Sequence, residues 1–338
     1  MYRLFIALLF LVILGSRSFS QLLTEVYTTY ENIPIIVKLY VTSYEDGREI
    51  SRKLFQIITN EIFNFSYRDG SYVREITEKC YKRFVKMNKD LSTILGRVLY
   101  YHSLTKAVSP TLGYLVDLWG FETGRFYVPS PVELSNALKV SSLKNLVISG
   151  DSVMLRNKQT KFYLTPFSVG VALLKVKDFL KKSNVTNAFV AVGNNFSLCV
   201  GTKDQSGWTV GISNPKNRTE NETLLTVSVS NSSVYTASIS ENSFIEGFKI
   251  YHSVLDPKTG YPADNGTVSV SVVDDDPLDA VILARALLVL GKDAGLKFAE
   301  RRNIKALFVT AEGGSVKMYK TSKWIKAYDR DTTKKPKS

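Results

Sequence analysis

The segment from Tyr251 to Pro262 is unusually dense in turn residues. Pro257 fixes its own φ, Gly260 can adopt a positive φ, and Pro262 has no amide hydrogen for a sheet ladder. We therefore predict a rigid turn that leaves a strand over residues 248–255. A structural corner and a ligand-binding loop are both compatible with so short a pattern.

The elements around this turn follow from hydrophobic periodicity. Helical spacing predicts helices over residues 49–63, 90–106, 132–138, 170–182 and 294–301, and alternation predicts strands over 33–43, 146–155, 161–165, 188–200, 208–212, 224–230, 234–238, 268–273 and 306–310. Three aspartates, 274–276, and Pro277 indicate one more helix, ending at Gly291. We predict a single α+β domain with helices packed on a largely antiparallel sheet.

Composition narrows the class of partner. The chain has 338 residues, is 44% hydrophobic and carries a net charge of +13. Such a charge favours phosphates, acidic glycans or an anionic membrane surface. The sequence has neither a basic helix interleaved with aromatic residues nor a zinc-ligand spacing, so we expect no nucleic acid partner.

The two ends of the chain are predicted to lie outside the folded domain. Residues 1–20 combine Arg3, an apolar run over 4–14 and small residues before position 21, which is typical of a secretory signal peptide. We expect a domain over 21–328, a basic tail over 329–338, and no transmembrane segment once the signal is removed. We predict that the protein is secreted or exported through the secretory pathway. Its location would be the periplasm or the extracellular space, or else the lumen of the endoplasmic reticulum or the cell surface.

Two further residue types bear on export. Cys80 and Cys199 could form one disulfide or remain two free thiols. Acceptor triplets for N-glycosylation occur at Asn64, Asn184, Asn195, Asn217, Asn221, Asn231 and Asn265. In a glycosylating host, the region 217–231 would be a glycan-covered surface.

Several short motifs follow one another in a specific order: Phe65-Ser66 with Ser71, Pro110-Thr111, Leu118-Trp-Gly-Phe121, Val128-Pro-Ser130, Trp208-Thr-Val-Gly-Ile212, Asp256-Pro-Lys-Thr-Gly-Tyr-Pro262 and the strand and helix of 268–291. In this order the sequence resembles the bacterial FAD:protein FMN transferase family (ApbE-like, with a T-fold-related domain). The resemblance implies a secreted α+β protein that binds FAD and splits its pyrophosphate with Mg²⁺. It would then move FMN onto a Ser or Thr of a partner protein.

The metal site that the resemblance implies is altered here. Negative charge on a pyrophosphate calls for a cation held by hard oxygen ligands. In the family an Asp and a Thr one helical turn later supply part of that site, and they fall on Val281 and Arg285, neither of which can ligate Mg²⁺. Asp279 is the candidate for a rescue, but it precedes Val281 by two residues and so lies about 200° around the helix.

Other family positions have also changed. The Asp-Leu-Gly-Gly-Ile-Ala-Lys-Gly signature falls on residues 163–170, a Gly-Gly-Asp falls on 193–195, and the flavin-contacting Gly-Ala-Phe-Asp loop falls on 106–109. The family histidine falls on Ser253, while His252 stands one place early. Because neighbours on a strand point to opposite faces, His252 should not replace it, and no catalytic residue is intact.

Backbone-shaping residues of the family survive in this chain, whereas those that hold metal or move protons do not. Our first hypothesis is a catalytically impaired homologue kept for binding a flavin nucleotide or a protein. The flavin-binding candidates are Tyr67, Ala107, Val108, Ser109, Tyr163, Asp256, Thr259 and Arg285. Arg285 could neutralise the FAD pyrophosphate directly; alternatively, it projects to solvent or pairs with an aspartate.

The second hypothesis is an active Mg²⁺-dependent FAD:protein FMN transferase with a rebuilt metal site in the cluster Asp274–Asp279. FAD is the expected cofactor under either hypothesis, and Mg²⁺ only under this one.

Overall fold

The computed structural model describes residues 20–29, 32–203, 206–215, 222–312 and 315–329. The predicted signal peptide, apart from Ser20, and the basic tail, apart from Asp329, lie outside these ranges, as do the acceptor sites Asn217 and Asn221.

Strands and helices alternate irregularly along the chain. The strands are β1 (Gln21–Thr28), β2 (Pro34–Val41), β3 (Val85–Lys86), β4 (Leu146–Ser149), β5 (Ser152–Leu155), β6 (Ala188–Val192), β7 (Phe196–Val200), β8 (Trp208–Ser213), β9 (Thr223–Val229), β10 (Ser233–Ser238), β11 (Ser243–Glu246), β12 (Lys249–His252), β13 (Thr267–Asp274), β14 (Lys305–Glu312) and β15 (Ser315–Lys320). The helices are α1 (Tyr44–Asn64), α2 (Tyr72–Lys79), α3 (Lys89–Thr105), α4 (Gly113–Trp119), α5 (Pro131–Val140), α6 (Thr165–Lys182), α7 (Pro277–Arg301) and α8 (Ser322–Tyr328).

The main sheet has the order β1-β2-β6-β7-β10-β13-β14-β15, and its neighbouring strands are antiparallel. Helices α1, α6 and α7 pack together and share the larger hydrophobic core with the sheet. A second core contains residues of β8, β9 and α8, including Trp208 and Trp324, together with Val234 and Val273 of the sheet. The predicted α+β class, with helices on an antiparallel sheet, is confirmed.

The two cysteines lie in different cores. Cys80 belongs to the larger core and Cys199 to the second one, and both are buried and free. Of the two alternatives left by the sequence, the structure has two free thiols.

Local signals explain where several elements begin and end. Ser130 and Glu133 form a reciprocal capping box at the start of α5, as their spacing predicts. Asp276 caps α7 by accepting from the amides of Leu278 and Asp279, so the aspartate row does mark a helix start. The helical path breaks at Gly291, whose φ is 74°.

Two sequence predictions need correction. The strand expected over 161–165 is wrong: Lys161 makes a single bridge to Leu112, and α6 already begins at Thr165. Proline at the first turn of α6 favours this early start, because its missing amide hydrogen has no helical partner there anyway. The strand expected over 248–255 is reduced to Lys249–His252, since Gly247 and Phe248 form the turn of the β11–β12 hairpin.

Several short elements and edge strands were not predicted: β1, α2, β3, β11, β15 and α8. Helix α1 begins at Tyr44, earlier than expected. Within the described ranges, no helix has the length and apolarity needed to cross a membrane.

Candidate functional site

The loop after β12 is a tightly bonded corner. The Gly260 amide donates to the Asp256 carbonyl at 2.8 Å, and the Asp256 amide donates to the Tyr261 carbonyl at 2.8 Å. The Asp256 carboxylate accepts from the Lys258 amide at 2.8 Å. Gly260 has a φ of 75°, which an L residue adopts only with strain. The side chain of Asp256 is therefore committed to shaping its own turn.

Trp119 anchors this corner to the rest of the fold. Its side chain is completely buried, and its indole Nε1 donates to the Gly260 carbonyl at 2.9 Å. The ring lies against Tyr251 and Tyr261, with centroid distances of 5.3 and 5.9 Å. Burial of a tryptophan with its N–H satisfied holds the loop against the end of α4.

Arg285 of α7 lies in a buried polar network beneath the corner. Only 7% of the residue is exposed, and its Nη2 donates to the Ser253 carbonyl at 3.3 Å. Its guanidinium also hydrogen bonds to Tyr235 of β10 and faces the Glu241 carboxylate. Burial opposes its charge, but Tyr235, Tyr163 and Glu241 outweigh that effect and raise its pKa. Arg285 therefore does not project to solvent, and within the described residues no ion pair joins it to an aspartate, so that alternative was wrong.

Glu241 is the acidic residue in this network. Burial raises the pKa of its carboxyl group, and the nearby Arg285 guanidinium, Asn195 and Tyr235 act in the opposite direction. The Tyr235 hydroxyl donates to Glu241 Oε2 at 3.3 Å. Tyr163, whose pKa burial raises to about 12, hydrogen bonds to Ser253. A guanidinium and a carboxyl group are thus buried in one polar network that also contains Tyr235 and Asn195.

Five of the predicted flavin-contacting residues meet here. Ala107, Val108, Ser109, Tyr163 and Arg285 line one cavity, together with Ser253 in the register of the family histidine. Its volume is only about 20 Å³. That is space for about one water molecule. The predicted residues do converge, but the space between them is filled by their own side chains.

The other three predicted flavin contacts lie elsewhere. Asp256 and Thr259 line a separate cavity of about 460 Å³ with Tyr251 and Tyr261. Tyr67 lines neither cavity, and the Lys161 ammonium lies 5.0 Å from the centre of its ring. The eight candidates therefore do not form one site.

Val281, at a family metal-ligand position, packs in the core, and Asp279, the candidate for a rescue, forms an ion pair. Val281 is fully buried and faces α6, where a β-carbon at Gly170 would come within 3.0 Å of it. Asp279 Oδ2 accepts from Arg97 Nη1 at 2.5 Å, and Arg97 Nη2 reaches Asp276 at 3.2 Å. No group of three or more His, Cys, Asp or Glu side chains suited to a metal occurs in the part of the chain that the structure describes. These residues do not fit a magnesium site.

His252 and Ser253 face opposite ways, as strand alternation predicts. His252 is 2% exposed; its Nε2 bonds to the Ala263 carbonyl at 3.0 Å, and its Nδ1 accepts from the Val254 amide at 3.3 Å. Burial lowers the pKa of this imidazole to about 4. His252 is a neutral packing residue in this arrangement and does not reach the cavity beside Arg285.

Sequence reasoning missed the partners of Arg285. Tyr235 belongs to β10 and Glu241 to the turn after it, and nothing in their local spacing indicates an interaction with Arg285. The sequence identifies Asn195 as the end of an altered family motif and as a possible glycan acceptor, and neither indicates a contact with Glu241. The available sequence signal was one acidic residue, Glu241. It follows the strand β10, whose serine, threonine and apolar side chains are buried.

Comparisons with known proteins agree with this architecture. The family model described as ApbE family matches residues 35–308. An FAD:protein FMN transferase of Vibrio cholerae is 26% identical over 262 residues, which is 76% of this chain and 78% of that protein. One from Klebsiella pneumoniae is 27% identical over 284 residues, 82% of this chain and 86% of that protein. The crystal structure of the ApbE protein of Thermotoga maritima superimposes with a TM-score of 0.81 at 25% identity, covering 92% of this chain and all of that chain.

Proposed function

The chain belongs to the ApbE family, and we propose that it is an exported member in which FAD-cleaving chemistry is impaired and the fold is kept for binding. Its relatives in Vibrio cholerae and Klebsiella pneumoniae are named FAD:protein FMN transferases. The observation that carries the proposal is the buried guanidinium of Arg285 at a position where the family resemblance implies a metal ligand.

The fixed positive charge of the Arg285 guanidinium would repel a divalent metal ion bound beside it. Two unit charges 4 Å apart interact by about 4 kcal/mol near a protein surface, and a divalent ion doubles that repulsion. Glu241 interacts electrostatically with Arg285, and its burial raises the pKa of its carboxyl group, which opposes the ionised form that a metal ligand needs. The neighbouring position, Val281, offers no oxygen at all. This set of side chains supports binding without metal-assisted hydrolysis.

The cavity beside Arg285, where five of the predicted flavin contacts meet, is too small for a flavin nucleotide, and this favours a protein partner. Small-molecule sites usually enclose about 300–1,000 Å³. The cavity beside Arg285 encloses about 20 Å³, so Ala107–Ser109 would have to move before a nucleotide could enter. Export is supported by the pattern of residues 1–20 and is part of the same proposal.

The test is release of AMP from FAD by the purified chain in the presence of Mg²⁺ or Mn²⁺, with the Vibrio cholerae transferase as the positive control. We expect no AMP above the rate without protein. Release that disappears in Asp279→Asn would instead support an active enzyme with a rebuilt metal site. The ion pairs of Asp279 with Arg97 make that outcome unexpected.

A second measurement separates the two kinds of binding. Titration with FAD, followed by flavin fluorescence, should show no saturable change up to high micromolar concentration. Saturable binding that Arg285→Met weakens would assign the site to a flavin nucleotide and overturn the protein-partner version.

A further inference from the structure

The first strand of the main sheet has one open edge. β1 pairs with β2 along its whole length, from Gln21 opposite Val41 to Thr28 opposite Pro34, and it is the terminal strand of the sheet over the described residues. Alternate residues of this eight-residue strand therefore present their N–H and C=O groups outward, away from β2. Such an edge is a template for another strand.

The two faces of β1 differ. On the side of α1, Leu23 is buried, Tyr27 stacks on Phe55 at 4.8 Å, and Glu25 bonds to Arg48 at 3.2 Å. On the other side, Leu22 is 37% exposed and Val26 is 64% exposed, with Thr24 and Thr28 also exposed. The exposed side chains form a row of apolar and small polar groups.

The opposite edge of the sheet has the protection that β1 lacks. β15 carries Lys317 and Lys320. β1 contains no lysine, arginine or proline, and Glu25, its single charged residue, is neutralised by Arg48. Lysine and proline are the usual means of preventing strands from adding to an edge. The contrast indicates that β1 is an edge on which pairing is tolerated.

We propose that β1 pairs antiparallel with β1 of a second copy of this chain, about a two-fold axis at Thr24. In this register Thr24 of one copy lies opposite Thr24 of the other, and Leu22 of each copy lies opposite Val26 of the other. Each exposed apolar side chain therefore gains an apolar partner. A self-complementary patch is what a two-fold interface requires. The near neutrality of β1 also lets two copies of a chain of charge +13 meet with little local repulsion.

Cysteine cross-linking of the full chain tests the register. The Cα atoms of opposed residues in an antiparallel pair of strands lie about 4.5–5.5 Å apart. With oxidised glutathione as the electron acceptor, two Thr24→Cys thiols should lose two protons and two electrons to form one intermolecular disulfide. Thr28→Cys is the matched control, because its copies would be about 27 Å apart. Native Cys80 and Cys199 are buried and should not react.

Most of the Thr24→Cys protein should run as a covalent dimer and almost none of the Thr28→Cys protein. Val26→Lys should raise the dimer dissociation constant at least tenfold in sedimentation analysis, whereas Met318→Lys on β15 should leave it unchanged. Equal cross-linking of the two cysteine variants, or a dimer that is insensitive to Val26→Lys, would overturn the proposal. The proposal would also be overturned if the wild-type protein is monomeric at every concentration and the Thr24→Cys protein forms no cross-link.

Discussion

The indole nitrogen of Trp119 donates to the carbonyl of Gly260 across 2.9 Å, although the two residues are 141 positions apart in the chain. This bond joins the end of α4 to the corner after β12. Because the tryptophan is fully buried, losing its acceptor would leave an unsatisfied N–H in the core. The corner is thus held by the hydrophobic core as much as by its own turn bonds.

Gly260→Ala should destabilise the protein by about 2–4 kcal/mol. The positive φ of 75° costs an alanine about 1–2 kcal/mol, and its β-carbon would come within 3.1 Å of Leu115 and 3.4 Å of Leu138. Gly266→Ala is the control, since Gly266 has a φ of 78° and open space beside it. In denaturant unfolding, Gly260→Ala should lose at least about 1 kcal/mol more stability than Gly266→Ala. Equal losses would show that the close approach to Leu115 and Leu138 has no effect on stability.

Arg285→Met should cost about 1–3 kcal/mol, because it removes the donor to the buried Ser253 carbonyl and a cation that interacts with the Glu241 carboxyl group. Adding Glu241→Gln should restore part of that loss, since the amide carries no charge to desolvate. A double-mutant cycle from urea unfolding measures the coupling. Arg302→Met, at an exposed position, should stay within about 0.5 kcal/mol. Strict additivity of the two substitutions would rule out the pair.

The stability of the protein should depend on His252 between pH 7 and pH 4. Burial, aided by Arg285, lowers the folded pKa from 6.5 to about 4, so the unfolded chain binds the proton first and stability falls as the pH drops through this window. The difference corresponds to about 3 kcal/mol. Glu241 and Asp279, whose pKa values are raised, act in the opposite direction and mask part of it.

The histidine contribution is isolated by comparing wild type with His252→Gln. As the pH is lowered from 7 to 4, the variant should become more stable relative to wild type, because it does not lose the contribution of His252. Parallel stability curves for the two proteins would show that His252 is protonated equally in the folded and unfolded states.

Asn265→Asp should destabilise the protein more than Asn265→Ala. The Asn265 amide donates to the carbonyls of Leu288 and Val289, at 2.9 and 3.1 Å, just before the break at Gly291. A carboxylate cannot donate there, and its charge opposes the negative end of the helix dipole. Alanine should cost about 1–3 kcal/mol and aspartate about 1 kcal/mol more in thermal unfolding.

Asn231→Asp is the matched control, since its oxygen accepts from the Gly201 amide and a carboxylate can do the same. It should change stability by less than about 0.5 kcal/mol. A tolerated Asn265→Asp would show that the two carbonyls do not depend on this amide. The same nitrogen would carry a glycan, so we expect Asn265 to stay unmodified in the folded protein.

The local features of the fold were readable from the chain because they depend on neighbouring residues. The capping box at Ser130, the cap at Asp276 and the break at Gly291 each involve residues a few positions apart. The family motifs likewise placed Val281 and Arg285 on one helix. Elements with weak periodicity, such as β1 and α8, escaped prediction, because sheet position and packing rather than local pattern make them regular.

The sequence by itself determined the family, the fold class, and which side chains stand in the registers of the family's metal and histidine positions. Only the tertiary structure decided what those side chains do: it buried Arg285 in a polar network with Tyr235 and Glu241, gave Asp279 the partner Arg97, and moved Asp256 and Thr259 away from the cavity beside Arg285. Charges find partners through space across strands and helices that are distant in the chain, and no periodicity along the sequence records those distances.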